Sequence, residues 1–153
     1  MRGRATKMKK VKRAVKRHTG KKSAARRGKK SAAKCELKHI PWDSVELEAL
    51  NPLLQRQFLV GGELMLARVL LKRGCIIPLH SHYNEQVTYI LSGALKFWID
   101  GKEIVVNAGE VLTIPPHMPH KAEALVDTVD LDVFNPPRED WINKTDQYLR
   151  GAK

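Results

Sequence analysis

The chain has 153 residues, with 28 Lys/Arg against 16 Asp/Glu and a formal net charge of +12. That length suits one domain of ordinary size, with core enough to fold without covalent staples. No run approaches the roughly 18 apolar residues of a membrane span. The two cysteines, Cys35 and Cys75, lie far apart and outside any CxxC spacing, so no disulfide framework is expected and a reducing cytoplasm is the expected setting.

The charge is unevenly spread. Residues 1–34 hold 16 of the Lys/Arg and no Asp or Glu, whereas residues 35–153 hold the other 12 with all 16 acidic residues, a balance of −4. A segment so poor in large apolar side chains cannot offset its ordering entropy. The expectation is a disordered basic arm, 1–34, on a mildly acidic domain, 35–153. The arm suits nucleic acid or another polyanion, and equally a solvated tail with no partner. It is not followed by the apolar stretch of about 7–15 residues that a secretory leader needs.

From about Ile40 short β-rich runs succeed one another, broken by Gly, Asn, Asp and Pro. The alternation predicts strands near 45–50, 54–60, 63–73, 75–80, 86–92, 94–99, 102–106, 110–114, 119–125 and 128–134. Asp100-Gly101 between "LKFWI" and "KEIVV" predicts a tight hairpin, because both residues tolerate positive φ. Gly61-Gly62 predicts another turn. A helix is expected only at "EDWINKTDQYL", residues 139–149. Many short strands without interleaved helices predict an all-β sandwich or small barrel. Phe97, Trp98 and Tyr89 read as core or cross-strand packers. Cys75 reads as a buried thiol, and Trp42 and Trp141 as covers for the barrel ends.

The chemistry sits in the histidines. His80 and His82 are one residue apart, so an extended chain sends both to one side. Such a pair can share a metal ion or stand as unrelated surface imidazoles. The wider context is Gly74-CIIPL-His80-Ser-His82-Tyr-Asn-Glu85-Gln86-VTYILS-Gly93, followed by Gly109-EVLTI-Pro115-Pro-His117-Met-Pro-His120. The last predicted strand reads "DTVDLDVFNPPRED". In it Asp130, Asp132 and Phe134 share one face, and Val129, Leu131 and Val133 the other. If the apolar face packs between sheets, the acidic face is solvated.

These two stretches resemble, in order and spacing, the two motifs of the cupin superfamily over residues ~60–137. The resemblance implies a single double-stranded β-helix or jelly-roll barrel, with its core at about 40–137. It also implies one divalent first-row metal ion (Mn, Fe, Ni or Zn) held by His80, His82, Gln86 and His120. Three departures stand out. Glu85 comes one residue too early for the carboxylate slot, which Gln86 takes. His117 stands where the motif has Gly, and reads as a surface or supporting residue. Ala124 stands where it has Asn.

In a cupin the polar face of the last strand can look into the cavity. "DVFNPPR" at 132–138 and "PLHSHYNEQ" at 78–86 resemble the small single-domain cupins of pectin degradation that open the ring of 4,5-unsaturated uronates. The resemblance implies Asp132 as the proton-shuttling catalytic group, Phe134 packing the sugar, and Arg138 gripping its carboxylate. The alternative for Arg138 is an ion pair with Glu139 or Asp140 after the Pro-Pro turn. Asp130 departs from the apolar residue expected there. The implied function is metal-dependent action on a small carboxylated sugar. The alternatives are a non-catalytic binding or sensory cupin held near nucleic acid by the arm, and an Fe(II) dioxygenase. A homodimer is implied by the resemblance alone.

Overall fold

The computed structural model describes residues 36–151. The basic arm and its polyanion partner therefore lie outside the described residues, as does Cys35.

Ten strands form: β1 Glu48–Asn51, β2 Leu54–Val60, β3 Met65–Leu71, β4 Ile76–His80, β5 Glu85–Ser92, β6 Ala94–Ile99, β7 Lys102–Asn107, β8 Val111–Ile114, β9 His120–Ala124 and β10 Thr128–Asn135. Each coincides with a run expected from alternation, with ends shifted by up to three residues. Six strands make one sheet in the order β1-β2-β3-β10-β5-β8, and four make a second in the order β4-β9-β6-β7. All pairings are antiparallel. Two antiparallel sheets enclosing one core make the all-β jelly roll.

The core follows from period two. Met65, Ala67, Val69 and Leu71 of β3 face inward, with Leu95, Phe97 and Ile99 of β6 and Ala122 and Ala124 of β9 among their buried neighbours. Cys75 joins this core as the buried thiol expected, and burial pushes its pKa up to about 11. The hairpin at Asp100-Gly101 carries φ of 52° and 68°, both positive, as a right-twisted two-residue connection needs. Gly93, between β5 and β6, has φ +87°, and a Cβ there would collide with the Asp127 carbonyl and Thr128. Only glycine fits that corner.

Of the two alternatives for β10 the cavity-facing one is realised: Asp130, Asp132 and Phe134 are buried, and Val129, Leu131 and Val133 lie on the partly exposed outer face. One expectation changes. The helix expected over 139–149 is broken. A single turn of helix α1, Glu139–Ile142, is followed by a 3-10 turn at Gln147–Leu149. Lys144 takes a positive φ of 55° between them. The break lets the strap after β10 fold back: Asp146 bonds Arg56 of β2 at 2.5 Å, and Asn51 of β1 donates to the Leu149 carbonyl at 3.0 Å. Trp141 is buried in the core rather than laid over an end, flat beneath Arg56 at 4.3 Å. Among the described residues no helix is long and apolar enough to cross a membrane.

Candidate metal centre and cavity

Antiparallel register brings the two histidine clusters together. His80 ends β4 and His120 opens β9; the two are cross-strand partners with ring centroids 4.2 Å apart. His82 follows in the loop that crosses to the other sheet, where Gln86 is the second residue of β5. Each of the three imidazoles offers a nitrogen, and all three nitrogens lie within 4.8 Å of one another. His117 is exposed and takes φ 64° at the motif's glycine position. Its backbone N–H donates to the His82 carbonyl at 2.7 Å, so it pins the loop without entering the cluster. Glu85 points outward and is exposed.

The donor set fits a metal ion. Nδ1 of His80, His82 and His120 lies 2.9, 3.0 and 2.8 Å from the carbonyls of Pro78, Asn84 and Met118. A carbonyl can only accept, so each Nδ1 carries the proton and each Nε2 presents a lone pair. Burial, with nearby positive charge from Arg138 and the other imidazoles, lowers the pKa of His80 to about 3 and of His82 to about 4. His120 is lowered by burial and by the Arg138 charge. Neutral rings in that tautomer are metal-ready.

Gln86 completes the argument. Its Nε2 donates to Thr88 Oγ1 at 2.9 Å and Asp132 Oδ1 at 3.0 Å, which orients Oε1 toward the histidines. There Oε1 lies 3.1 Å from His82 Nε2. Two lone pairs facing each other at that distance repel, and a cation between the groups converts the contact into coordination. Three imidazoles and an amide oxygen are a neutral set that leaves the full charge on a divalent ion.

Behind the cluster lies a small cavity of about 50 Å³. Its walls carry Asp130, Asp132, Phe134, Arg138 and Tyr148 beside Leu54, Leu71 and Phe97. Asp132 is buried; desolvation raises its pKa to about 6 against the lowering pull of Thr88, Gln86 and Arg138. Phe134 lies edge-on to His82, 5.7 Å between centroids. Arg138 is buried, and its Nε and Nη2 clamp both oxygens of Asp140 at 2.8 and 2.7 Å. The ion pair weighed against a substrate role is therefore present, with Asp140 as the partner. Nη2 also donates to the Tyr148 hydroxyl at 2.8 Å, while Nη1 makes no hydrogen bond among the described residues.

Sequence reasoning missed two members of this site. Thr88 shares the inward face with Gln86 by simple alternation and was legible. Tyr148, stacked on His80 at 4.7 Å, lies beyond the motifs and arrives only because the strap folds back.

The comparisons agree with this geometry. The family model described as "Cupin domain" matches residues 67–134. An uncharacterized protein of Methanocaldococcus jannaschii, MJ1618, is 31% identical over 84 residues, 54% of this chain and 67% of its own length. An RmlC-like cupin from Shewanella frigidimarina superposes with a TM-score of 0.65 at 29% identity, over 71% of this chain and 99% of that one. KdgF from Halomonas sp. does so with a TM-score of 0.65 at 26% identity, over 69% of this chain and 99% of the other. With the jelly roll, both motifs and the three-histidine cluster in place, the chain belongs to the cupin family.

Proposed function

We propose that this cupin is a metal-dependent enzyme for a small carboxylated sugar, opening the ring of 4,5-unsaturated uronates. One observation carries the reading. The histidine cluster and Gln86 stand at one cavity with Asp132, Phe134 and Arg138, the residues of the "DVFNPPR" ending. The similarity to KdgF supports it.

His80, His82, Gln86 and His120 would hold one divalent first-row ion. When bound, the ion supplies Lewis-acid polarisation of a hydroxyl or carbonyl oxygen. Arg138 Nη1 is free to meet the substrate carboxylate, and Phe134 packs the ring. Asp132 moves the proton. The anomeric hydroxyl loses its proton and the bond from C1 to the ring oxygen breaks. The electron pair passes to that oxygen, and a proton is added at C4. The product is an open-chain keto aldehyde, an isomer of the substrate, so no oxidant is consumed. A pKa near 6 lets one carboxyl both accept and return a proton near neutral pH.

A second reading has its own observation. Two nitrogens of Arg138 are committed to Asp140, which suits a binding cupin whose arginine is structural. A homodimer fits the exposed Tyr89, Leu91 and Val111 on the larger sheet. The arm at 1–34 would draw polyanions by charge.

The test is the loss of ultraviolet absorbance of an unsaturated monouronate, against its spontaneous rate. The metal-loaded protein should accelerate it, and Asp132→Asn should slow it by about 10²–10⁴-fold with metal retained. No acceleration by the parent protein overturns the enzyme reading in favour of the binding cupin.

A further inference from the structure

We infer that the Tyr148 hydroxyl and Arg138 Nη1 together clamp the ligand's carboxylate, which makes Tyr148 a ligand-contacting, specificity-determining residue. The inference deepens the function proposed above and rests on it for the carboxylated ligand.

Tyr148 sits in the 3-10 turn Gln147–Leu149 of the strap and lines the cavity. The strap is fastened on both sides of it. Asp146 bonds Arg56, Asn51 donates to the Leu149 carbonyl at 3.0 Å, and Arg150 Nη2 donates to Glu48 at 2.7 Å. The ring stacks on His80 with 4.7 Å between centroids and 27° between planes. A phenylalanine would stack equally well, so packing gives no reason for the hydroxyl. Among the described residues that hydroxyl has one hydrogen-bond partner, Arg138 Nη2 at 2.8 Å.

The guanidinium has five N–H groups in a fixed plane. Nε and the adjacent proton of Nη2 form the fork that Asp140 fills. The second Nη2 proton is the one left for Tyr148, and it lies on the head edge of the guanidinium, beside a proton of Nη1. Arg138 is 2% exposed, yet Nη1 makes no hydrogen bond among the described residues and is not sealed from water. Arginine can only donate, so the Tyr148 oxygen accepts there. Its own proton has no acceptor among the described residues. An anionic oxygen taken up by Nη1 on the head edge therefore stands next to the Tyr148 oxygen, within reach of the phenol proton. One carboxylate then meets a charged donor and a neutral one, and both bonds are charge-assisted. A ligand with a hydroxymethyl group in place of the carboxylate forfeits that assistance.

The experiment uses the full-length protein loaded with zinc, which has no d-electron bands, and two probes, galacturonate and galactose, titrated calorimetrically. The parent should bind galacturonate at least about tenfold more tightly than galactose. Tyr148→Phe keeps the stack on His80 and should weaken galacturonate by about tenfold or more, with metal content and melting temperature held. A phenol that donates to an anion absorbs at longer wavelength in the near ultraviolet. Galacturonate should therefore raise a tyrosine difference spectrum in the parent that Tyr148→Phe lacks. Equal affinity of the parent for both probes, equal galacturonate affinity in parent and Tyr148→Phe, a loss of binding matched by a loss of metal, or a tyrosine difference spectrum that persists in Tyr148→Phe overturns the inference. The catalytic reading fails separately. A parent that leaves the uronate absorbance untouched, yet binds galacturonate with this dependence on Tyr148, retains Tyr148 in this role.

Discussion

Gln86 Nε2 donates to Asp132 Oδ1 at 3.0 Å, and the same carboxylate oxygen receives the Thr88 hydroxyl. The bond joins two inward residues on neighbouring strands, and it decides which end of the amide faces the histidines. Asp132 therefore has a duty toward the metal centre that is separate from any duty toward substrate. Asp132→Asn retains an acceptor oxygen for Gln86, whereas Asp132→Ala removes it. Metal affinity, read by competition with a chelator, should fall by about 10–100-fold in Asp132→Ala and little in Asp132→Asn. Equal metal affinity in both variants would leave Asp132 a substrate group only.

Gln86→Glu tests the neutral donor set. The carboxylate should keep the ion, since oxygen remains at the same place. Its charge offsets part of the ion's own and repels an anionic substrate. Metal content by elemental analysis should be unchanged while turnover of the uronate falls. Full activity in Gln86→Glu would mean the amide was not needed for charge.

The metal-free protein should lose stability on acidification. His80 and His82 ordinarily titrate near 6.5 but are held to about 3 and about 4 by burial and nearby positive charge. Between those values the unfolded chain binds protons that the folded chain refuses. The stabilisation is thus complete above about pH 6.5 and drains away toward pH 4, by up to about 1.4 kcal/mol per pH unit for each refused proton. Asp132, raised to about 6, and Asp130, raised well above the usual carboxylate range, act in the opposite sense; their contribution is complete below about 3.8 and lost as pH rises through their folded values. Three lowered imidazoles outnumber the two raised carboxyls, so the histidine slope should dominate once the unfolded imidazoles are charged, below about pH 6. Urea midpoints from pH 6 to pH 4.5 should fall, and His80→Gln should flatten the fall. A midpoint that rises on acidification would reverse this account.

Arg56 is buried between Glu48 and Asp146, at 2.9 and 2.5 Å, with Trp141 against its guanidinium. It fastens the strap to β1 and β2. Removing one member of a buried ion network typically costs about 3–5 kcal/mol. Arg56→Ala should show that loss in denaturant unfolding, together with weaker protection of the backbone at 139–149. A loss under about 1 kcal/mol would mean the strap is held by Trp141 packing instead.

The basic arm makes a claim that charge alone supports. If residues 1–34 bind polyanions, affinity for DNA or RNA should fall steeply with salt as counterions are released. Residues 35–153, net acidic, should not bind at all. Salt-insensitive binding by that fragment would place the nucleic-acid surface on the barrel.

Alternation and turn chemistry determined most of the fold. Runs of period two marked the ten strands, Asp100-Gly101 marked its hairpin, and the spacing of two motifs identified the histidine cluster and preferred Gln86 to Glu85. These signals are local, and a local signal survives without knowledge of neighbours. What faced the core was less legible. Both faces of β10 read as possible interiors, because one is apolar and the other carries Asp130, Asp132 and Phe134. Only the second sheet closing over that strand decided that the acidic side turns inward, where Thr88 and Gln86 satisfy Asp132. The strap beyond β10 was legible as helix-forming residues but not as a path. Lys144 breaks it, and Arg56, ninety positions away from Asp146, draws it back over the site with Tyr148. A pairing across that separation depends on loop closure and register, and no periodicity in the chain records it.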